Sequence, residues 1–272
     1  MTTLIDLAEL GSVGGFFALR AGPPRDGATP FSEVYAERSA ARPTERPAAP
    51  ESGDPIGFRV RKVADRLGAP EDRIAVSVAQ LGLAARLWSV ALGSAALYGR
   101  VPDLGPALLH WDADGTSPDD LWLTDVRPLP GDAATVGDVV QHGHLEPLSA
   151  ALRARYRISA GLLWGNAGSA LAGAARELHG WAGRAGREDV GERALALARE
   201  LFDHPDLRGT GTLRGTGALR GTGTLRGAGT PTGPAFRRRS CCLYYRCPGG
   251  GLCGDCCFER PPQRSSPGAA SG

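Results

Sequence analysis

Apolar residues in IGFRVRKVADRLG, which begins at Ile56, recur at helical spacing and predict a one-sided helix. A second run, IAVSVAQLGLAARLWSVALGSAALY from Ile74 to Tyr98, is apolar on nearly every face, and Glu71-Asp72 stand where a helix N-terminus favours acids. Gln80 and Arg86 fall near its centre. A charge at a bilayer midplane costs at least ~2.5 kcal/mol, so the run reads as a buried core helix and not a membrane span. Three further helices are predicted over Leu145–Tyr156, Ser159–Trp181 and Glu188–Phe202, and the small residues of GNAGSALAGAA favour close packing of the second. HWDADGTSPDDLWLTDV reads as a turn and a short strand, Leu121–Val126.

The flanking text is different. Residues 3–20 predict a short helix broken at Gly14-Gly15, and the proline-rich stretch to Pro55 predicts a connection with at most one short helix, Phe31–Ala41. Leu207 to Thr230 repeats a hexad as LRGTGT, LRGTGA, LRGTGT and LRGAGT. So many glycines can hardly offset the ordering entropy of a solenoid, which predicts a flexible linker. The organisation expected is 1–55 N-terminal helix and connection, 56–206 helical domain, 207–234 repeat linker, 235–258 cysteine-rich segment and 259–272 disordered tail. The fold class is mainly α, a helical domain with a minor β element followed by that short segment.

Composition changes this picture in two places. From Leu207 onward ten arginines face only Asp255 and Glu259, a net of +8, which leaves −6 on the preceding 206 residues. A basic end can meet nucleic acid, an anionic surface or an acidic protein, but no aromatic-interleaved basic platform accompanies it, so no nucleic-acid partner is expected. The start, MTTLIDLAEL, lacks a basic segment followed by an apolar run, so no secretory signal is read and a cytoplasmic protein is expected. Thiols are kept reduced there, which favours a metal site over disulfides.

All six cysteines fall between Cys241 and Cys257. Cys241, Cys242, Cys253 and Cys256 write C-C-x10-C-x2-C: the C-x2-C turn aims two thiolates one way, and the loop through PGGG brings the adjacent pair opposite. Four thiolates suit tetrahedral zinc or an iron–sulfur cluster, and a Cys-Cys pair is unusual for zinc, which normally uses two separated knuckles. His142, His144 and Glu146 were weighed as metal ligands and read as a solvated turn. Asp112, Asp114 and Asp119 read as a turn without the later glutamate of a calcium loop. No phosphate loop, dinucleotide fingerprint or nucleophile elbow is present.

The segment SCCLYYRCPGGGLCGDC resembles the C-terminal signature of the FhuF-like ferric-siderophore reductases, and AVSVAQLGLAARLWSVALG, LLWGNAGSALAGA and HPDLRGTGTL are similar to that family's helical region, over roughly residues 56–258. The resemblance implies a [2Fe–2S] cluster held by Cys241, Cys242, Cys253 and Cys256, with those sulfurs converging and Cys247 and Cys257 outside. It also implies an iron–sulfur ferric-chelate oxidoreductase that passes one electron to a ferric siderophore, of the hydroxamate type, so that Fe(II) is released in the cytoplasm. A ferredoxin, flavodoxin or flavin reductase would supply the electron, with at most peripheral membrane association. The alternative is a regulatory or redox-sensing protein holding zinc or an iron–sulfur cluster. The four-fold repeat, where the family has one L-x-GTG-x-L, and the extra Cys247 and Cys257 are departures from the pattern.

Overall fold

The computed structural model describes residues 5–36, 54–214 and 235–262. The repeat from 215 to 230, most of the proline-rich connection and the tail from 263 lie outside the described residues, and with them the linker and disorder expected there. In chain order the elements are α1 (Leu7–Ser12), β1 (Arg20–Ala21), β2 (Thr29–Pro30), α2 (Phe31–Val34), α3 (Pro55–Leu67), α4 (Asp72–Tyr98), β3 (Arg100–Pro102), β4 (Leu109–Trp111), β5 (Leu121–Leu123), β6 (Pro128–Pro130), α5 (Ala133–Gly137), α6 (Glu146–Arg155), α7 (Ala160–Arg184), α8 (Glu188–Phe202), β7 (Gly211–Arg214) and β8 (Ala235–Arg238).

Local chemistry sets the helix ends. Asp54 accepts from the Gly57 N–H with Pro55 at the first position of α3, and Gly68 ends that helix in the left-handed region. Ser159 caps α7 by accepting from Leu162. α4 is long and apolar enough to cross a membrane, but α3, α7 and α8 pack around it. A helix enclosed in this way needs apolar residues on every side. Its two central polar residues both find partners inside the protein, although the Gln80 Oε1 is buried without one. Arg86 donates to Asp120 at 2.9 Å and to the carbonyls of Gly15, Phe16 and Ala18, and Gln80 donates to the Leu163 carbonyl.

Three expectations need correction. The helix expected over 3–20 ends at Ser12, because Gly14 begins a turn that sends Phe17 and Leu19 into the core and starts β1. The minor β element is larger than one strand. β1, β5, β4 and β2 form a four-stranded sheet, parallel only at β1–β5, while β3 pairs with β6 and β7 with β8. These strands are two to four residues long, too short for periodicity to reveal. The first hexad is also ordered: Leu207 is buried and Gly211–Arg214 is strand. Leu10, Phe17, Leu19, Phe31 and Val34 share one hydrophobic core with the helices.

His144 is the other departure. Residues Asp138–Leu145 form a π-helical turn, not a solvated one, and the His144 ring is wholly buried. Its Nε2–H donates to the Leu104 carbonyl (2.6 Å), and its Nδ1 accepts from the Tyr35 hydroxyl (2.9 Å). His142 instead meets Asp138 and Glu146 at the surface. Burial pushes the His144 imidazole down to about 4, whereas an unfolded histidine titrates near pH ~6.5. Between those values the unfolded chain binds more protons. Stability should therefore fall as pH drops through that window, by roughly 3 kcal/mol at its lower end. Urea melts of wild type and His144→Gln at neutral pH and near pH ~4 check this: the variant is expected to lose less stability on acidification.

Candidate metal centre

The cysteine segment is positioned by strand alternation. In β8, Phe236 and Arg238 face inward while Ala235 and Arg237 are only half-buried. Phe236 packs against Phe202, with ring centroids 5.2 Å apart, and lies over α7. α7 accepts the β7–β8 pair because its facing residues are small. A Cβ on Gly168 would stand 2.6 Å from Thr210 Oγ1 and 3.2 Å from Phe236, and one on Gly165 would collide with Ser240 Oγ.

Side chains along the same helix then fasten the segment. Ser240 donates to the Gly161 carbonyl (3.0 Å), Arg238 Nη2 donates to Asn166 Oδ1, and Ser169 donates to Asp255 (2.6 Å), whose carboxylate also meets Arg176 (3.4 Å). Asp255 is the residue before Cys256 in the C-x2-C turn, which closes through the Cys256 N–H to the Cys253 carbonyl (3.1 Å). The Asp255 carbonyl accepts from the Arg238 N–H (3.0 Å). On the other flank, Ser77 of α4 donates to the Cys242 carbonyl (2.8 Å), and Arg246 pairs with Glu71 (2.5 Å). Gly168→Leu is therefore expected to undock the hairpin while the helices persist. Helical circular dichroism should be retained, while apo-protein thiols react faster with an aromatic disulfide reagent.

Cys253 lies beside Cys242, Cys242 beside Cys241, Cys241 beside Cys257 and Cys257 beside Cys256. The sulfurs therefore form a row. Among the described residues, no three His, Cys, Asp or Glu side chains close around one metal-ion position. Of the cysteines singled out from the sequence, Cys241, Cys242 and Cys253 stand in direct succession, and Cys256 joins through Cys257. Cys257 was expected outside; following Cys256 directly, it folds back between Cys256 and Cys241. Cys247 is buried in the turn between the two halves, where its N–H donates to the Tyr244 carbonyl and its own carbonyl accepts from Gly250.

Within this group the Cys242 thiol is the one whose pKa is lowered. The S–H groups of Cys241 and Cys253 donate to it, the Tyr244 N–H adds a third bond, and the Arg238 guanidinium lies near, so its pKa falls far below the usual thiol range. Those same hydrogen bonds hold the protons on Cys241 and Cys253 and push both upward, with burial adding to the rise. Backbone donors serve the sulfurs as well: Leu243 N–H to Cys241 Sγ at 3.2 Å and Phe258 N–H to Cys256 Sγ at 3.4 Å. Leu243 makes its bond from the left-handed region, φ 68°, the one positive φ among described non-glycine residues.

The donor set fits an iron–sulfur group. Thiolate sulfur is its ligand chemistry, N–H···S bonds are the usual support for it, and Arg238 offers two buried N–H donors with no partner, Nε and Nη1. Several residues that build the site escaped the sequence reading: Ser77, Ser169, Arg176 and Asp255. Arg237 to Arg239 read from the sequence as a charge run beside the cysteines, solvated or docking an acidic partner or an anionic chelate, and the structure instead buries Arg238. Period-two alternation through FRRR was the available signal, since it buries the middle arginine. Asn166, which follows Trp164-Gly165 in α7, is fully buried.

A mostly helical protein whose C-terminal thiols are gathered on a helix face belongs, by this site, among iron–sulfur proteins. Comparison with known families specifies which: residues 83–210 match the ferric iron reductase FhuF-like transporter family, and residues 238–258 match the FhuF 2Fe-2S C-terminal domain. Together the two matches cover more than half of the chain, which belongs to the FhuF-like ferric iron reductase family. No curated protein matches it.

Proposed function

We propose that the protein is a cytoplasmic ferric-siderophore reductase whose [2Fe–2S] cluster is ligated by Cys241, Cys242, Cys253 and Cys256. The observation that carries the reading is the row of sulfurs. A two-iron core takes its thiolates in pairs at two centres, which a row suits better than it suits a single tetrahedral ion. When bound, the cluster supplies reversible one-electron chemistry, and one electron converts Fe(III) to Fe(II), which hard oxygen chelators hold far more weakly.

The residues of the chain do the rest. Cys241, Cys253, Cys256 and Cys257 are half-buried, which leaves the site at the protein surface, within reach of a docked chelate and of a redox partner. An open cleft of about 170 Å³ between α3, α4 and β4 is lined by Arg59, Arg86 and Trp111, and no residue of the cysteine segment lines it. Tyr245 and Phe258, within the cysteine segment, meet edge to face, 5.7 Å between centroids. No proton transfer is needed for this one-electron step. A ferric hydroxamate is the expected acceptor, and a ferredoxin, flavodoxin or flavin reductase the donor.

Anaerobically purified protein should be red-brown, bleach with dithionite and give an S = 1/2 signal by electron paramagnetic resonance. Mixed with a ferric trihydroxamate in the stopped-flow, the reduced protein should reoxidise with one Fe(II) trapped per electron. A colourless protein holding zinc would end this reading. A coloured protein that stays reduced in the presence of ferric chelates would end its reductase part.

A further inference from the structure

Arg238 is 2% exposed, and its guanidinium has one hydrogen-bond partner, Asn166 Oδ1, through Nη2. Nε and Nη1 are buried without any. The nearby carboxylate, Asp255, is already held by Ser169 and Arg176. A cation removed from water and left without an anion costs several kcal/mol, so an arrangement of this kind needs a negative group in front of the free donors. The groups that feel its charge are Cys242 and Cys253.

Its position is also fixed. Asn166 Nδ2 donates to the Ser77 carbonyl (2.9 Å) and hydroxyl (3.1 Å), and Ser77 Oγ donates to the Cys242 carbonyl (2.8 Å). The chain Arg238–Asn166–Ser77–Cys242 thus ties the guanidinium to the backbone of the cysteine pair. The neighbouring arginines are placed differently: Arg237 reaches Glu259 and the Cys257 carbonyl at the surface. Burial puts Arg238 out of reach of an acidic partner protein, and its two free N–H groups point to a permanent occupant.

We propose that Arg238 is the charge-compensating residue of the iron–sulfur cluster, held in place by Asn166, and that it raises the cluster's reduction potential. The inference rests on the cluster reading above and adds a residue outside the cysteine motif. On accepting an electron the cluster becomes one unit more negative. A fixed cation in a water-poor site stabilises that state over the oxidised one, and cluster potentials respond to local charge and to hydrogen bonds at sulfur.

The test is a potentiometric titration of the full chain, followed by visible absorption and electron paramagnetic resonance. Arg238→Met is expected to disfavour reduction at least tenfold, a fall of about 59 mV for one electron. Arg238→Lys, which keeps the charge, should retain more than half of the wild-type advantage. An unchanged potential in Arg238→Met, or an equal fall in both variants, overturns the proposal. Should Arg238→Met purify without a cluster, Asn166→Asp decides: its carboxylate neutralises the arginine in place, and a lower potential supports the proposal while an unchanged one overturns it. Wild-type protein without a cluster would overturn the cluster reading and this inference together. A loaded wild type whose variants keep its potential would overturn the inference alone.

Discussion

Cys242→Ala is expected to yield a protein that keeps its helices and binds no cluster. Cys242 is the centre of the thiol row, accepting from Cys241, Cys253 and the Tyr244 N–H. Alanine removes that acceptor and the thiol nearest the buried Arg238, so the hairpin should loosen as well. The same loss of colour is expected for Cys241→Ala, Cys253→Ala and Cys256→Ala. Cys247→Ala and Cys257→Ala should stay red-brown, with iron and sulfide content near wild type. The position of Cys257, beside both Cys241 and Cys256, makes the last pair decisive. A colourless Cys257→Ala beside a coloured Cys256→Ala would transfer the fourth ligand to Cys257. Iron and acid-labile sulfide assays after anaerobic purification read all six variants without requiring activity.

The second large effect is on stability. Arg86→Met should lower the unfolding free energy by about 3–5 kcal/mol, because it removes one partner of a buried ion pair. The Arg86 and Asp120 side chains are 2% and 8% exposed. Without the arginine, the Asp120 carboxylate loses its 2.9 Å donor, and the carbonyls of Gly15, Phe16 and Ala18 lose theirs. Against a typical total of ~5–15 kcal/mol, this amounts to a large share of the domain's stability. Urea melts should show a much lower midpoint for Arg86→Met and partial recovery in Arg86→Met with Asp120→Leu, where no charge is left unpaired. Equal stability of the single and double variants would show that the carbonyl contacts, and not the ion pair, matter. The same substitution would make α4 more apolar without making it a membrane helix, since its environment is already protein.

The long helices were legible because their causes are local. α7 and α8 follow from 3.6-residue periodicity, from the Ser159 cap of α7 and from the acidic first turn of α8 at Glu188 and Asp189. The gathering of the thiols in one place was legible because all six cysteines fall within seventeen residues, Cys241 to Cys257. The short strands were not, since two or three residues carry no usable period, and β1 pairs with β5 across about a hundred positions. His144 was misread for a related reason: a glycine and two polar neighbours look like a solvated turn, and only Tyr35 and Leu104, distant in the chain, make it a core residue.

By itself the sequence determined that the protein is mainly helical, that its thiols are confined to one C-terminal segment, and that it resembles an iron–sulfur reductase family. These depend on residue type and short-range spacing. The tertiary structure alone decided which arginine of three is buried, which serine holds the Cys242 carbonyl, and how the sulfurs follow one another. Those choices join residues 165 positions apart for Ser77 and Cys242, 72 for Arg238 and Asn166, and 34 for Arg86 and Asp120. Buried charges and polar groups take whatever partner the packed core leaves beside them, and that is settled by the arrangement of helices in space and not by any neighbour along the chain.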